Sequence, residues 1–403
     1  IGPFLNYNVN SIFFFSSSIA IADYLRAKLF TGFPWNLWAY SFSSSTEIIQ
    51  ILHLIGLYAF NLVVITIFTA PAIFFFNNSI SKKIITSTSM FGLILGLFIF
   101  GSYEINKNKM FLKTINKKIN VKVISPNFEL KYGLSFGQIE KKINKLIKYS
   151  NPNKEKKTLF IWPEGIFSGY SYDEILIFRD LISKNFSNNH HIVFGINKLN
   201  KETNLFYNSL LFINNKFEII HQYNKQKLVP FGEFLPFEIL LEKIGLKTIT
   251  NNYQSFSKGN ERNIIKIKID NFSLSILPLI CYEIIYSGKI FNNQDFDLII
   301  NISEDGWFGK SIGPKQHFDH SIFRSIESGK YILRSSNNGI AAIINPLGIV
   351  EKKVNFGQSG YIDFSKERKI QPTIFSKYGN KIFVLLILLY IFLIFSFIKT
   401  NNE

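Results

Sequence analysis

Apolar residues follow two different rhythms along this chain. Over 11–30, 54–76 and 84–103, and again over 382–398, they form long runs with few interruptions. A helix needs about 17–25 such residues to cross a bilayer, so each run is a predicted transmembrane span. The first is weakened by Asp23, Arg26 and Lys28, whereas 54–76 has no charged residue at all. Buried core helices are the alternative reading. From 106 to 377 the rhythm shortens, and brief strand-like runs alternate with polar, helix-periodic stretches. Strands are predicted over 121–125, 158–161, 191–196, 205–213, 217–223, 264–269, 272–280, 298–302, 340–344 and 348–354, with helices over 135–148, 172–183 and 315–328. Hairpin turns are expected at Asp270-Asn271 and at Asn345-Pro346-Leu347.

This pattern predicts three parts: a membrane-helical region over 1–105, an extracytoplasmic α/β domain over 106–377, and a C-terminal span with its tail over 378–403. Lys82 and Lys83 in the tight loop after the second span place that loop on the cytoplasmic side, because short loops rich in Lys and Arg stay inside. The large domain then lies outside and the last span returns the tail to the cytoplasm. The chain opens on Ile1 rather than Met, and a missing N-terminal portion is expected.

With 403 residues, 47% of them hydrophobic, the chain is long enough for a sizeable core besides the spans. A net charge of +17 raises the question of nucleic acid or anionic lipid. The lysines are scattered, and no zinc-finger, helix-turn-helix or RNP spacing occurs, so a nucleic-acid partner is not expected. The one cysteine, Cys281, excludes an internal disulfide.

Cys281 opens a turn after an apolar strand, where nucleophiles of α/β sheets sit; a lone cysteine is otherwise a small buried hydrophobe. Glu164, between Pro163 and Gly165 at the end of another strand, has the position of a general base, or of a surface-turn glutamate. Lys225 ends a third strand and would stabilise an oxyanion, although Lys227 points the same way and spacing does not choose between them. His317 and His320 lie three apart on a predicted helix with no third ligand at motif spacing, so structural roles are expected. No metal and no cofactor are predicted.

Glu164, Lys225 and Cys281, each at a strand end and in that order, resemble the Glu-Lys-Cys triad of the nitrilase superfamily. Further stretches are similar to the apolipoprotein N-acyltransferase family: Phe30-Thr31-Gly32-Phe33-Pro34-Trp35, Tyr223-Asn224-Lys225 leading to Pro230-Phe231-Gly232-Glu233, Cys281-Tyr282-Glu283, Asp305-Gly306-Trp307-Phe308-Gly309, and Arg334-Ser335 with Asn337-Asn338-Gly339. The resemblance implies a nitrilase-like α-β-β-α sandwich flanked by transmembrane helices. It selects Lys225 over Lys227 and adds Glu233, Tyr282 and Glu283 as supporting residues. It also implies a multi-pass bacterial inner-membrane enzyme with its catalytic domain on the periplasmic side, working as a monomer. An acyl chain would pass from a phospholipid, phosphatidylethanolamine in this family, through a thioester on Cys281 to the α-amine of a diacylglyceryl-cysteine apolipoprotein. A membrane-anchored amidohydrolase, with water as acceptor, is the alternative, and a decayed non-catalytic copy is a third reading. The apolar stretch 235–246 is a candidate interfacial lid or a core helix.

Overall fold

Two six-stranded sheets form the centre of the molecule in the computed structural model, which describes residues 8–111, 113–237, 255–269, 272–288 and 295–401. Three helices come first: α1 (Val9–Arg26), α2 (Leu52–Thr69) and α3 (Ile80–Phe111). The α/β part then runs β1 (Lys113–Ser125), α4 (Phe136–Ser150), β2 (Thr158–Ile161), α5 (Tyr172–Ile175), α6 (Arg179–Asn185), β3 (His190–Asn200), β4 (Leu205–Ile213) and β5 (Ile219–Asn224). It continues with β6 (Ile265–Ile269), β7 (Phe272–Ile280), β8 (Leu298–Glu304), α7 (Gly313–Ser328), β9 (Tyr331–Asn337), β10 (Ala341–Ile344), β11 (Val350–Val354) and β12 (Gly360–Lys369). Helices α8 (Ile374–Tyr378) and α9 (Lys381–Asn401) close the chain.

The strand orders are β12-β1-β2-β3-β4-β5 and β11-β10-β9-β8-β7-β6. Alternation along the strands makes the layers. Val121, Val123, Leu159, Ile161 and Val193 of the first sheet share one buried core with Leu277, Leu279, Ile300, Ile302 and Leu333 of the second. The opposite face of the first sheet, with Ile124, Phe160 and Phe194, packs on Ile139, Ile143 and Leu146 of α4. Helix α7 packs on β9 and β10 of the second sheet. This is the predicted order of layers, helix, sheet, sheet, helix.

Parallel pairing sets the site. Strand β7 runs parallel to β8 with Ile280 opposite Ile302, and β8 parallel to β9 with Glu304 opposite Asn337, so Cys281, Glu304 and Asn337 emerge at one edge. Strand β2 is parallel to β1 and β3, which brings Glu164 to the same edge of the first sheet.

Several expectations are corrected. Strands β9 and β12 went unread: β9 carries Arg334, Ser335 and Ser336, polar yet fully buried, and β12 is a charged strand at a sheet edge. The helix predicted over 172–183 is two short helices around a 3-10 turn, Leu176–Phe178. Of the four predicted spans, two are long and apolar enough to cross a membrane, Ile48–Phe75 and Ile80–Asn108. Helix α1 ends at Arg26, which bonds Asp23 at 2.8 Å, so the span predicted over 11–30 stops early. Helix α9 runs over Lys381–Asn401 and contains the whole stretch predicted over 382–398. The turn at Asp270-Asn271 and the stretch from 238 onward in the candidate lid lie outside the described residues.

Candidate active site

Chain geometry begins at Cys281. It opens a 3-10 turn, Cys281–Ile285, directly after β7, and its φ is +49°, a left-handed conformation that costs a non-glycine residue about 1–3 kcal/mol. The surroundings hold it there. Its carbonyl faces His317 Nε2 at 3.2 Å, and His317 Nδ1 lies 2.8 Å from Asp305 Oδ1. Arg334 donates to Asp305 Oδ2 at 2.8 Å, and Ser303 and Ser336 donate to the same carboxylate at 2.7 and 3.0 Å. Burial would raise the Asp305 carboxyl; the Arg334 guanidinium, with His317, outweighs it and holds the group well below the usual carboxylate range. Burial and Arg334 together lower His317.

The three residues singled out in the sequence line one cavity of about 630 Å³. Glu164 Oε1 accepts from Asn208 Nδ2 at 2.7 Å, and Oε2 from the Glu304 backbone N–H at 3.0 Å. Lys225 is 1% exposed. Its Nζ stands 3.7 Å from Glu164 Oε1 and 2.8 Å from Glu233 Oε1. Glu233 is fixed in turn by Asn208 at 2.7 Å and by the Val229 N–H at 2.8 Å. Burial alone would discharge Lys225; the Glu233 and Glu164 carboxylates reverse that and keep it an ammonium. Burial raises Glu164, partly countered by Lys225. Burial and the nearby Glu164 charge push the Cys281 thiol well above its ordinary range. A protonated thiol beside a carboxylate of raised basicity is suited to proton transfer from sulfur to oxygen, with an ammonium present for developing negative charge.

Of the supporting residues, Glu233 and Tyr282 line the cavity, whereas Glu283 lies behind it. Glu283 accepts from Arg262 at 2.7 Å, Tyr223 at 2.6 Å and the Ile280 N–H at 2.9 Å, which ties the Cys281 turn to β5 and β7. Burial opposes its charge, but Arg262 and these donors leave its carboxyl below the usual range. Tyr282 donates to Gly32 O at 3.0 Å and Tyr286 to the same oxygen at 2.9 Å. These bonds bring the 31–35 segment over the site, and Phe33 and Trp35 form part of the cavity wall.

Near the thiol, Asp305 and Arg334 had no role assigned from sequence, and His317 was expected only to be structural. Their motifs were visible, but 12 positions separate Asp305 from His317 and 29 separate it from Arg334, so only the fold shows them as one cluster. His320 is packed between Trp35 and Tyr40, consistent with a structural role.

The carbon-nitrogen hydrolase family matches residues 134–364, and the apolipoprotein N-acyltransferase N-terminal domain matches residues 3–70. A Rickettsia bellii protein named apolipoprotein N-acyltransferase is 34% identical over 396 residues, covering 97% of this chain and 77% of the relative. A Bradyrhizobium diazoefficiens protein of the same name is 29% identical, covering 93% of this chain and 71% of the relative. Among solved structures, yeast Nit3, described as a member of branch 10 of the nitrilase superfamily, is 16% identical. That match covers 61% of this chain and 90% of Nit3 with a TM-score of 0.42.

Proposed function

The chain belongs to the apolipoprotein N-acyltransferase family and is an acyltransferase of lipoprotein N-acylation, and we propose that it works through an acyl thioester on Cys281, with Glu164 as base and Lys225 as oxyanion partner. Glu164 takes the thiol proton, and the sulfur attacks an ester carbonyl of a phospholipid, phosphatidylethanolamine by family resemblance. The C–S bond forms, the ester C–O bond breaks, and the lysophospholipid oxygen leaves with the proton from Glu164. The α-amine of a diacylglyceryl-cysteine apolipoprotein then attacks the thioester, Cys281 is released, and an N-acyl product remains. The observation that carries this reading is one cavity holding Glu164, Lys225 and Cys281, with a wall built by Phe33 and Trp35 of the N-terminal region.

Two lipid-anchored substrates require a site held at a membrane. Helix α3 presents Ile84, Phe91, Leu95, Phe98 and Ile99 outward, and α9 presents Leu385, Leu388, Phe392 and Phe395. Rows of exposed large apolar side chains of this kind suit lipid better than water. We place the three-part layout of 1–105, 106–377 and 378–403 in the inner membrane with the α/β domain on the periplasmic face.

Intact-protein mass spectrometry after incubation with phospholipid tests this. The expected result is an added acyl mass, absent from Cys281→Ala, that a diacylglyceryl lipopeptide removes to give the N-acyl peptide. Loss of the adduct to water alone would favour the amidohydrolase. A folded, membrane-inserted enzyme that gains no adduct would refute the thioester mechanism.

A further inference from the structure

The acceptor reaches this site as a cation. An α-amino group has an ordinary pKa of about 7.7–8.0, so at neutral pH most of it is ammonium. An ammonium loses two protons in becoming an amide N–H. One returns to the Cys281 sulfur through Glu164. The other needs an acceptor of its own, and it must leave before the nitrogen lone pair can attack.

Glu304, the last residue of β8, lines the same cavity and is 2% exposed. Its Oε1 accepts from the Gly306 N–H at 2.7 Å and from Asn338 Nδ2 at 3.0 Å, and its Oε2 from Asn337 Nδ2 at 2.6 Å. A carboxylate offers about four lone-pair positions, so these three neutral donors leave room for one more partner. The side chain lies directly over the backbone beside Glu164: a Cβ on Gly165 would come within 2.6 Å of Glu304 Oε2.

What Glu304 lacks is a cation. Among the described residues, the other buried carboxylates each have one: Glu164 and Glu233 share Lys225, Glu283 has Arg262, Asp305 has Arg334 and Glu327 has Arg324. Among the described residues Glu304 forms no ion pair. The titratable groups around it are Asp305 beside it, Tyr132 on the loop between β1 and α4, and Lys142 on α4, whose ammonium donates to Ile166 O at 3.1 Å, while Glu164 accepts from the Glu304 backbone N–H.

We propose that Glu304 is the subsite for the acceptor's α-ammonium: it pairs with the incoming cation and takes its first proton, leaving Glu164 to take the second as the C–N bond forms and the C–S bond breaks. This rests on the thioester reading above. Burial pushes the Glu304 carboxyl up to about 8, so at pH 7 it holds a proton that the incoming ammonium displaces to water by favouring the charged form; the proton then taken from the amine moves between groups of similar affinity. Glu304 then releases it to water before the next cycle.

The test separates the two half-reactions. Cys281 is first loaded from phospholipid, and loss of the acyl mass is then followed against pH in wild type and E304Q. One acceptor is a diacylglyceryl lipopeptide with its free α-amine, and the other is its aminooxy analogue, which is weakly basic and arrives neutral. E304Q should slow discharge to the amine at pH 7 about 10²-fold more than it slows loading, the typical contribution of a positioned proton acceptor. The deficit should shrink as pH rises past the amine's own pKa and vanish with the aminooxy acceptor. E304D should recover part of the rate. Unchanged discharge to the amine, or equal slowing of loading and of both acceptors, would overturn the proposal. If the variants do not fold, or if no adduct accumulates, inhibition of overall transfer by wild type reads the subsite directly. An N,N-dimethyl lipopeptide, a cation that yields no amide, should then inhibit more strongly than its des-amino counterpart, and equal inhibition would refute the proposal.

Discussion

At the residue scale the site depends on buried charge, and buried charge is affordable only in pairs. Lys225 is held between Glu164 and Glu233, at 3.7 and 2.8 Å, and both carboxylates also accept from Asn208. Removing the ammonium would strand two carboxylates. Lys225→Met should therefore lose about 3–5 kcal/mol of stability, the usual cost of breaking a buried pair. Its loading of Cys281 should also slow by about 10²–10³-fold, the effect of deleting one oxyanion donor. Thermal unfolding and the rate of acyl-adduct formation measure the two effects separately. A stable Lys225→Met enzyme that loads normally would remove Lys225 from the chemistry. Lys225 and Lys227 were not separable by spacing, because both point to one face of an extended segment. Burial and the two carboxylates distinguish Lys225, and neither is a property of the local sequence. The same holds for His317, a helix histidine in the sequence and a partner of the Cys281 carbonyl in the fold.

At the element scale, hydrophobic runs report burial without saying against what. The run in α2 is mostly enclosed by protein, while that in α3 faces outward with Leu95 46% exposed. Their compositions are nearly alike, with mean hydropathies of 2.2 and 2.0, so the sequence read both as spans. If α3 faces lipid, Leu95→Arg places a charge near the bilayer centre at a cost of about 2.5–3.5 kcal/mol. The variant should be depleted from the alkali-resistant membrane fraction, and full retention with full activity would show that α3 faces something other than lipid. The kink in α2 has a tertiary cause as well. Gly56 has a φ of +73°, and the Leu57 N–H donates to the buried Glu327 of α7 at 2.7 Å. Strand β9 went unread for a related reason. Its polar second half is buried, and Arg334 and Ser336 find their partner in Asp305, which no strand propensity encodes.

At the scale of the whole molecule, two sheets and one loop from the N-terminal region close a single cavity. That arrangement gives the proposed topology a direct test. In a Cys281→Ser background, a cysteine placed at the exposed Lys216 should react with a membrane-impermeant maleimide on intact spheroplasts, and one at the exposed Lys82 only after permeabilisation. The reverse pattern would invert the topology. The sequence by itself determined the alternation of strands and helices, the apolar stretches, and the strand-end positions of Glu164, Lys225 and Cys281. These follow from local periodicity and from where a polar residue interrupts an apolar run. Tertiary structure decided which of those polar residues meet. It brought Asp305, His317 and Arg334 behind the thiol, placed Phe33 and Trp35 over it, and left Glu304 buried with no cation paired to it among the described residues. Such pairings depend on strand order and sheet packing between residues as far apart as Trp35 and Gln316, 281 positions, and no local pattern carries them.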